Sequence, residues 1–206
     1  MLDQWINLLH ERRQWDSWDL DKECPQELIL EILEEQNTFS PKKLNVAYFE
    51  MHLISGFDND VFEKRKLLAD YNQLNKIDHN DVAKNNQTLA HHLIVFSLLD
   101  DLSNNGETEI GLMQIGLAAA HIALGATARG LDSGFVRCFN AHNKELDNSM
   151  LKKFGRVKLI LGVGYGTMND YTNPITGENE IPSSRRVPES TRNPIPSLSS
   201  YLTIHG

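Results

Sequence analysis

Two arginine pairs stand near opposite ends of this 206-residue chain, Arg12-Arg13 and Arg185-Arg186. Between them lie an SPKKLN loop (residues 40–45) with Lys42, Lys43 and Asn45, the neighbours His91 and His92, and the glycine run LGVGYGT from Leu161. Taken singly, these pieces have ordinary readings. An arginine pair at a helix end favours the dipole and solvent, and SPKKLN is a common turn composition. Adjacent histidines in a strand face opposite sides and cannot jointly grip one ion. Gly162, Gly164 and Gly166 miss the GxGxxG spacing, and no GK[ST] follows, so they read as a strand end packed closely against a helix. No HExxH pair and no GxSxG nucleophile elbow occurs. Cys24 and Cys138 are far apart, which predicts free thiols rather than a disulfide framework or zinc site.

The bulk numbers narrow the partners. Formal charge is −8, with 28 acidic against 20 basic residues. Binding a phosphate backbone calls for a basic face, so nucleic acid is not the expected partner. Apolar content of 40% and charged content of 23% fit a soluble globular protein. The length fits one domain over 1–206. MLDQWINLLHERR does not have the pattern of a signal peptide. Residues 110–128 are nearly all apolar or small, close to the lower limit for a membrane span. Gln114, His121 and the short flanks point instead to a helix buried on nearly all sides, ended by Gly130 in a left-handed cap. No membrane association and a cytoplasmic location are therefore expected.

The elements that must position these residues follow from periodicity. Residues 1–14 are helical by the spacing of Leu2, Trp5, Ile6, Leu8 and Leu9. Pro25 opens a second helix at its first turn, with Leu28, Ile32 and Leu33 inward. A strand is predicted at 46–54, a third helix after the turn at 55–60, and a buried strand at 89–99. After the apolar helix come a strand at 134–139, a helix over 144–154 and a strand at 156–166. Five of the seven prolines follow residue 170, so 167–206 is predicted to be extended or disordered rather than packed. The order predicts an α+β or α/β fold, with a sheet of four to five strands covered by helices.

In this order and spacing, the motifs resemble the flavin-dependent nitroreductase family nearly end to end. HERRQWDSWD, from His10, stands where that family has an Arg-Arg-Ser-x-Arg-type motif. SPKKLNVAYF stands for its Pro-Ser-x-x-Asn-x-Gln-Pro-type loop. LGATARGLDSGFV matches its small-residue helix ending in Gly-Leu and a strand, LILGVGYG its glycine-ended strand, and SSRRVP its C-terminal basic motif. The resemblance implies an α+β domain with a mostly antiparallel central sheet and an extended C-terminal arm.

It also implies FMN held non-covalently at the interface of a homodimer. Arg12, Arg13 and Arg186, beside Arg185, would converge on the phosphate, which guanidinium forks hold well. Gln14 falls at the family's serine. Asn45 would meet the pyrimidine edge of the ring. The backbone over Val136, Arg137 and Cys138 would pass the flavin nitrogen that takes hydride. NAD(P)H would be the donor, and a nitroaromatic, quinone or similar small conjugated molecule the acceptor. No side chain need act as acid or base, so no catalytic residue is implied. The chain departs from the family at Gln14, at Asp16, which stands where a basic residue is expected, and at Ala47-Tyr48, which replace Gln-Pro. Alternatives on the same scaffold are a flavin-binding dimer without turnover and a dehalogenating or flavin-fragmenting enzyme. An unrelated α+β binding module is the alternative off it.

Overall fold

All seven side chains of one strand, β2 (His92–Leu98), are buried. The reason is its place: β2 lies inside a four-stranded antiparallel sheet of order β1-β2-β4-β3, covered on both faces. Its neighbours are β1 (Phe49–Ser55), β4 (Arg156–Gly164) and β3 (Asp132–Val136). The computed structural model describes residues 2–42, 45–56, 86–137, 153–172, 177 and 179–182. The helices predicted after residue 56 and over 144–154 lie outside these residues, apart from the last turn of the second. So do Cys138 and the arginine pair 185–186.

One face of the sheet packs Ile94, Phe96, Leu98, Leu161 and Val163 against two helices. These are α2 (Gln26–Phe39), through Ile29 and Ile32, and α3 (Asn105–Ala128), through Ile115, Ala118, Ala119 and Ile122. The other face buries Leu93, Val95, Val157 and Ile160 with Trp18, Leu89 and Ala90. A helix α1 (Leu2–Glu11) precedes them, and β5 (Tyr171–Thr172) pairs with β6 (Asn179–Glu180) in a small ribbon. The α+β architecture is observed, and the mostly antiparallel sheet of four to five strands that was expected has four strands, all antiparallel, among the described residues.

The differences in extent have local causes. α1 stops at Glu11, so Arg12 and Arg13 follow the helix rather than closing it. Pro25 occupies the cap position (φ −62°, ψ 135°) before the first helical residue. Residues 46–48 do not join β1, because the Gln114 side chain claims them: it accepts from Tyr48 N–H at 3.0 Å and donates to the Val46 carbonyl at 2.9 Å. The 89–99 run begins as a 3-10 turn, Asn86–Leu89, before the strand starts.

The largest correction concerns α3. It buries Gly111, Gln114, Ile115, Ala118, Ala119, Ile122, Ala123 and Ala126 on one side only. Leu112, Met113 and Leu117 are exposed, Met113 by 61%. By length and composition α3 could cross a membrane, and its buried side forms part of the sheet core. Its C-terminus is as predicted: Gly130 is left-handed (φ 70°), with Leu131 N–H on the Ala126 carbonyl and Gly130 N–H on that of Thr127.

His91 and His92 are also corrected. Their rings do not diverge to opposite faces, because His91 precedes the strand. Nε2 of His91 donates to the Lys22 carbonyl and Nε2 of His92 to that of Cys24, both at 2.8 Å. Ser55 donates to Nδ1 of His92. The pair therefore clasps one stretch of chain, 22–24, beside the sheet. The Cys24 thiol in that stretch is free, and burial pushes its pKa up.

Candidate functional site

β3 is an edge strand, and the segment after α1 is laid along its open side. Trp15 N–H donates to the Ser133 carbonyl at 3.0 Å. The Gln14 carboxamide completes the attachment, accepting from Phe135 N–H at 3.0 Å and donating to the Phe135 carbonyl at 2.6 Å. Ser17, Trp18 and Asp19 then tie to Thr167, Gly166 and Tyr165 beyond the end of β4. The glycines make this closeness possible. A Cβ on Gly134 would lie 2.0 Å from the Trp15 carbonyl oxygen, one on Gly162 2.2 Å from that of Gln87, and one on Gly164 2.2 Å from Nδ1 of His91. The glycine run is thus a close-packing device, as expected, but its partners are not a helix: Gly162 and Gly164 meet the 3-10 turn and His91, and Gly166 meets the Trp15 ring.

Gln14 is therefore a fastener. It fixes Arg12 and Arg13 beside β3 and uses both ends of its amide to do so. Arg12 is half-buried and Arg13 exposed, and neither guanidinium has a carboxylate within ion-pair reach among the described residues. Arg13 and Lys22 do stabilise the Asp132 carboxylate from farther off. Two cations left without carboxylates in a chain of charge −8 suit a bound anion. Asp16, where a basic residue was expected, is half-buried.

Along β3, the outward backbone groups come from alternate residues. Ser133 and Phe135 give theirs to Trp15 and Gln14. By the same alternation, the next outward N–H belongs to Arg137, one residue past the buried Val136. Arg12, Arg13, Gln14, Val136 and Arg137 are thus brought to one edge.

Asn45 is not. It adopts a left-handed conformation (φ 59°) just before residues 46–48, which Gln114 holds on the β1 side of the sheet. β1 and β3 are the opposite edges, three strand spacings apart, a separation of about 14 Å. One chain does not gather all the expected residues.

Sequence reasoning passed over Gln114 and Asp132 as site-forming residues. The signal for Gln114 was its place as a lone amide in an apolar helix. The signal for Asp132 was its position between Gly130 and Gly134. Asp132 accepts from Gly166 N–H at 2.9 Å. Its carboxyl pKa is raised, first by burial, against lowering by that N–H, Arg13 and Lys22. The folded state thus holds this proton more tightly than the unfolded chain. The group therefore adds stability as pH falls through its folded pKa, and that contribution is lost above it. Asp132→Asn is expected to flatten that part of the melting-temperature profile between pH 4 and 8. A variant profile parallel to the wild-type one would remove the assignment.

No family profile and no curated protein matches the sequence. Solved structures do match the fold. A nitroreductase family protein from Clostridium novyi NT superposes with TM-score 0.59 at 20% identity, over 79% of this chain and 84% of that one. An FMN-dependent nitroreductase from Clostridium difficile R20291 gives 0.55 at 19%, over 80% and 88%. The NADPH:FMN oxidoreductase from Vibrio harveyi, in complex with NAD+, gives 0.61 at 16%, over 93% and 79%. The chain has the nitroreductase fold.

Proposed function

We propose that the protein is an FMN-dependent NAD(P)H oxidoreductase acting as a homodimer, with a small conjugated molecule such as a nitroaromatic or quinone as acceptor. The observation that carries this reading is the β3 edge, where two guanidiniums with no carboxylate in ion-pair reach among the described residues stand beside a strand end whose next outward N–H is that of Arg137. The donor set fits FMN: Arg12 and Arg13 for the phosphate, and the Arg137 peptide N–H for the ring. When bound, FMN supplies the hydride chemistry, and the protein supplies orientation and electrostatics. Gln14 keeps the arginines at a fixed distance from the ring site. Arg185 and Arg186 would add to the phosphate pocket.

The separation of Asn45 from Arg137 supports the dimer, since Asn45 of a second copy can complete a site that its own chain cannot. So does uncovered apolar surface. Phe39 is 75% exposed, and Leu112, Met113 and Leu117 are exposed along α3. Between α1, α2 and α3, a groove of about 270 Å³ is lined by Trp5, Phe39, Leu124 and the buried Gln36. Gln36 is only 3% exposed, and neither end of its amide has a partner among the described residues. An unmet buried amide costs on the order of 1–3 kcal/mol, so a second chain that reaches it stabilises the pair.

The test is spectroscopic. Protein as purified is expected to be yellow, to bleach anaerobically with NADH or NADPH, and to recover colour with an added nitroaromatic or quinone. Losing two charge-assisted phosphate contacts in Arg12→Ala/Arg13→Ala should weaken flavin binding roughly 100-fold. Colourless protein that takes up no FMN on titration would overturn the reading.

A further inference from the structure

Among the described residues, Asn45 is the one non-glycine residue in the left-handed region (φ 59°). Asparagine tolerates that region better than most side chains, but the surroundings must still hold it there. Glycine would adopt the same φ without strain, so the backbone alone does not call for a side chain here. Asn45 is exposed, and its carboxamide has no hydrogen-bond partner among the described residues. Strained positions of this kind gather at ligand-binding sites.

A side chain from another element does the holding. Gln114 is 5% exposed within the apolar α3. Both ends of its amide go to the backbone just after Asn45, to Tyr48 N–H at 3.0 Å and to the Val46 carbonyl at 2.9 Å. These two groups flank Ala47, so the carboxamide bridges them as the peptide groups of a neighbouring strand would. The Tyr48 carbonyl accepts in turn from Leu99 N–H at 3.3 Å. One turn back on α3, Gly111 lets the helix come close: a Cβ there would lie 3.0 Å from the Tyr48 carbonyl oxygen. An apolar side chain would fill the place of Gln114 with less desolvation, so packing alone does not call for an amide. The other edge of the sheet is built alike, with Gln14 tied by both amide ends to Phe135. α3 also carries the exposed Met113 and Leu117 on either side of Gln114 in sequence. One helix therefore bears both the apolar face offered to a second copy and the hold on Asn45.

We propose that Gln114 is a positioning residue. It keeps Asn45 left-handed and at a set distance from the apolar face of α3, so that Asn45 reaches the flavin ring in the site of the second copy. The amide bridge stands on this chain's own geometry. The flavin as the ligand of Asn45 rests on the oxidoreductase reading above.

The experiment uses full-length protein and three readouts: FMN titration, melting temperature, and hydrogen exchange at Tyr48 N–H in the flavin-free state. Gln114→Met keeps the shape and removes the amide. It is expected to speed Tyr48 exchange and to weaken FMN binding about 10-fold, the worth of one hydrogen bond to the ring. In an Asn45→Ala background, the same change should lower the melting temperature as before and leave FMN affinity where Asn45→Ala put it. Two changes that act through one contact do not add. Gln114→Glu gives a pH signature. Its carboxylate accepts from Tyr48 N–H but cannot donate to the Val46 carbonyl, so FMN binds weakly at pH 8. On acidification the carboxyl gains a proton and with it a donor, and affinity relative to wild type at the same pH should recover. This variant carries the test by itself should Gln114→Met fail to fold.

Unchanged Tyr48 exchange in Gln114→Met would overturn the bridge. FMN binding like that of wild type, or weakened equally with and without Asn45, would overturn the positioning role. A flat ratio of Gln114→Glu to wild-type affinity across pH would do the same. Wild type that takes up no FMN fails differently, since it removes the oxidoreductase reading and this role with it.

Discussion

Gly134→Ala will detach the segment that carries Arg12 and Arg13. The new methyl would lie 2.0 Å from the Trp15 carbonyl oxygen, 2.8 Å from Cγ of Gln87 and 3.1 Å from the Trp15 carbonyl carbon. Two of these three atoms are backbone, so no rotamer relieves the contact. Trp15 must withdraw by more than 1 Å to restore ordinary packing. That movement breaks the bond from Trp15 to Ser133 and both bonds from Gln14 to Phe135. Three hydrogen bonds at about 1 kcal/mol each, with the strain of overpacking, give a loss of roughly 3–5 kcal/mol. For a domain of this size, that lowers the melting temperature by on the order of 10 °C.

Gly162→Ala makes an equally close contact, but with the Gln87 carbonyl oxygen in the 3-10 turn. It should lose similar stability and retain flavin wherever it is folded. Thermal melts together with FMN titration below both transitions separate the two. A Gly134→Ala protein that melts like wild type and binds FMN normally would show that the strap does not position the arginines.

The contrast between these glycines explains what was legible in the sequence. Apolar runs and glycine caps report on a chain's own neighbours, so β2, α2, α3 and the Gly130 cap could be read directly. The continuous run from Leu93 to Leu98 reflects two covered faces, and both were found. The strap could not be read, since Gln14 acquires its role only from the register of a strand about 120 positions away. The same is true of His91 and His92, whose partners are the carbonyls of residues 22 and 24. α3 misled in the opposite sense. Its uniform apolarity was read as full enclosure, whereas one side meets the sheet and the other, with Leu112, Met113 and Leu117, is open in the single chain.

That open side and the two-edge arrangement give the second large effect. Asn45→Ala and Arg12→Ala/Arg13→Ala are each expected to lose flavin when expressed alone. If Asn45 of one copy completes the site on the β3 edge of the other, co-expressing the two variants restores part of what each lost. A mixed dimer pairs the intact arginine edge of the first variant with the intact Asn45 of the second, which regenerates one whole site and leaves one doubly damaged. Random pairing makes half the dimers mixed, so about a quarter of wild-type flavin sites should return. Leu117→Arg, placed in either variant, should abolish the rescue by charging the apolar face of α3 while leaving its buried side intact. Mixed dimers isolated by two affinity tags sharpen the readout to one flavin per dimer. Mixed dimers that bind no flavin would mean each site is built within one chain. The roughly 14 Å between the β1 and β3 edges would then have to be bridged by residues other than Asn45.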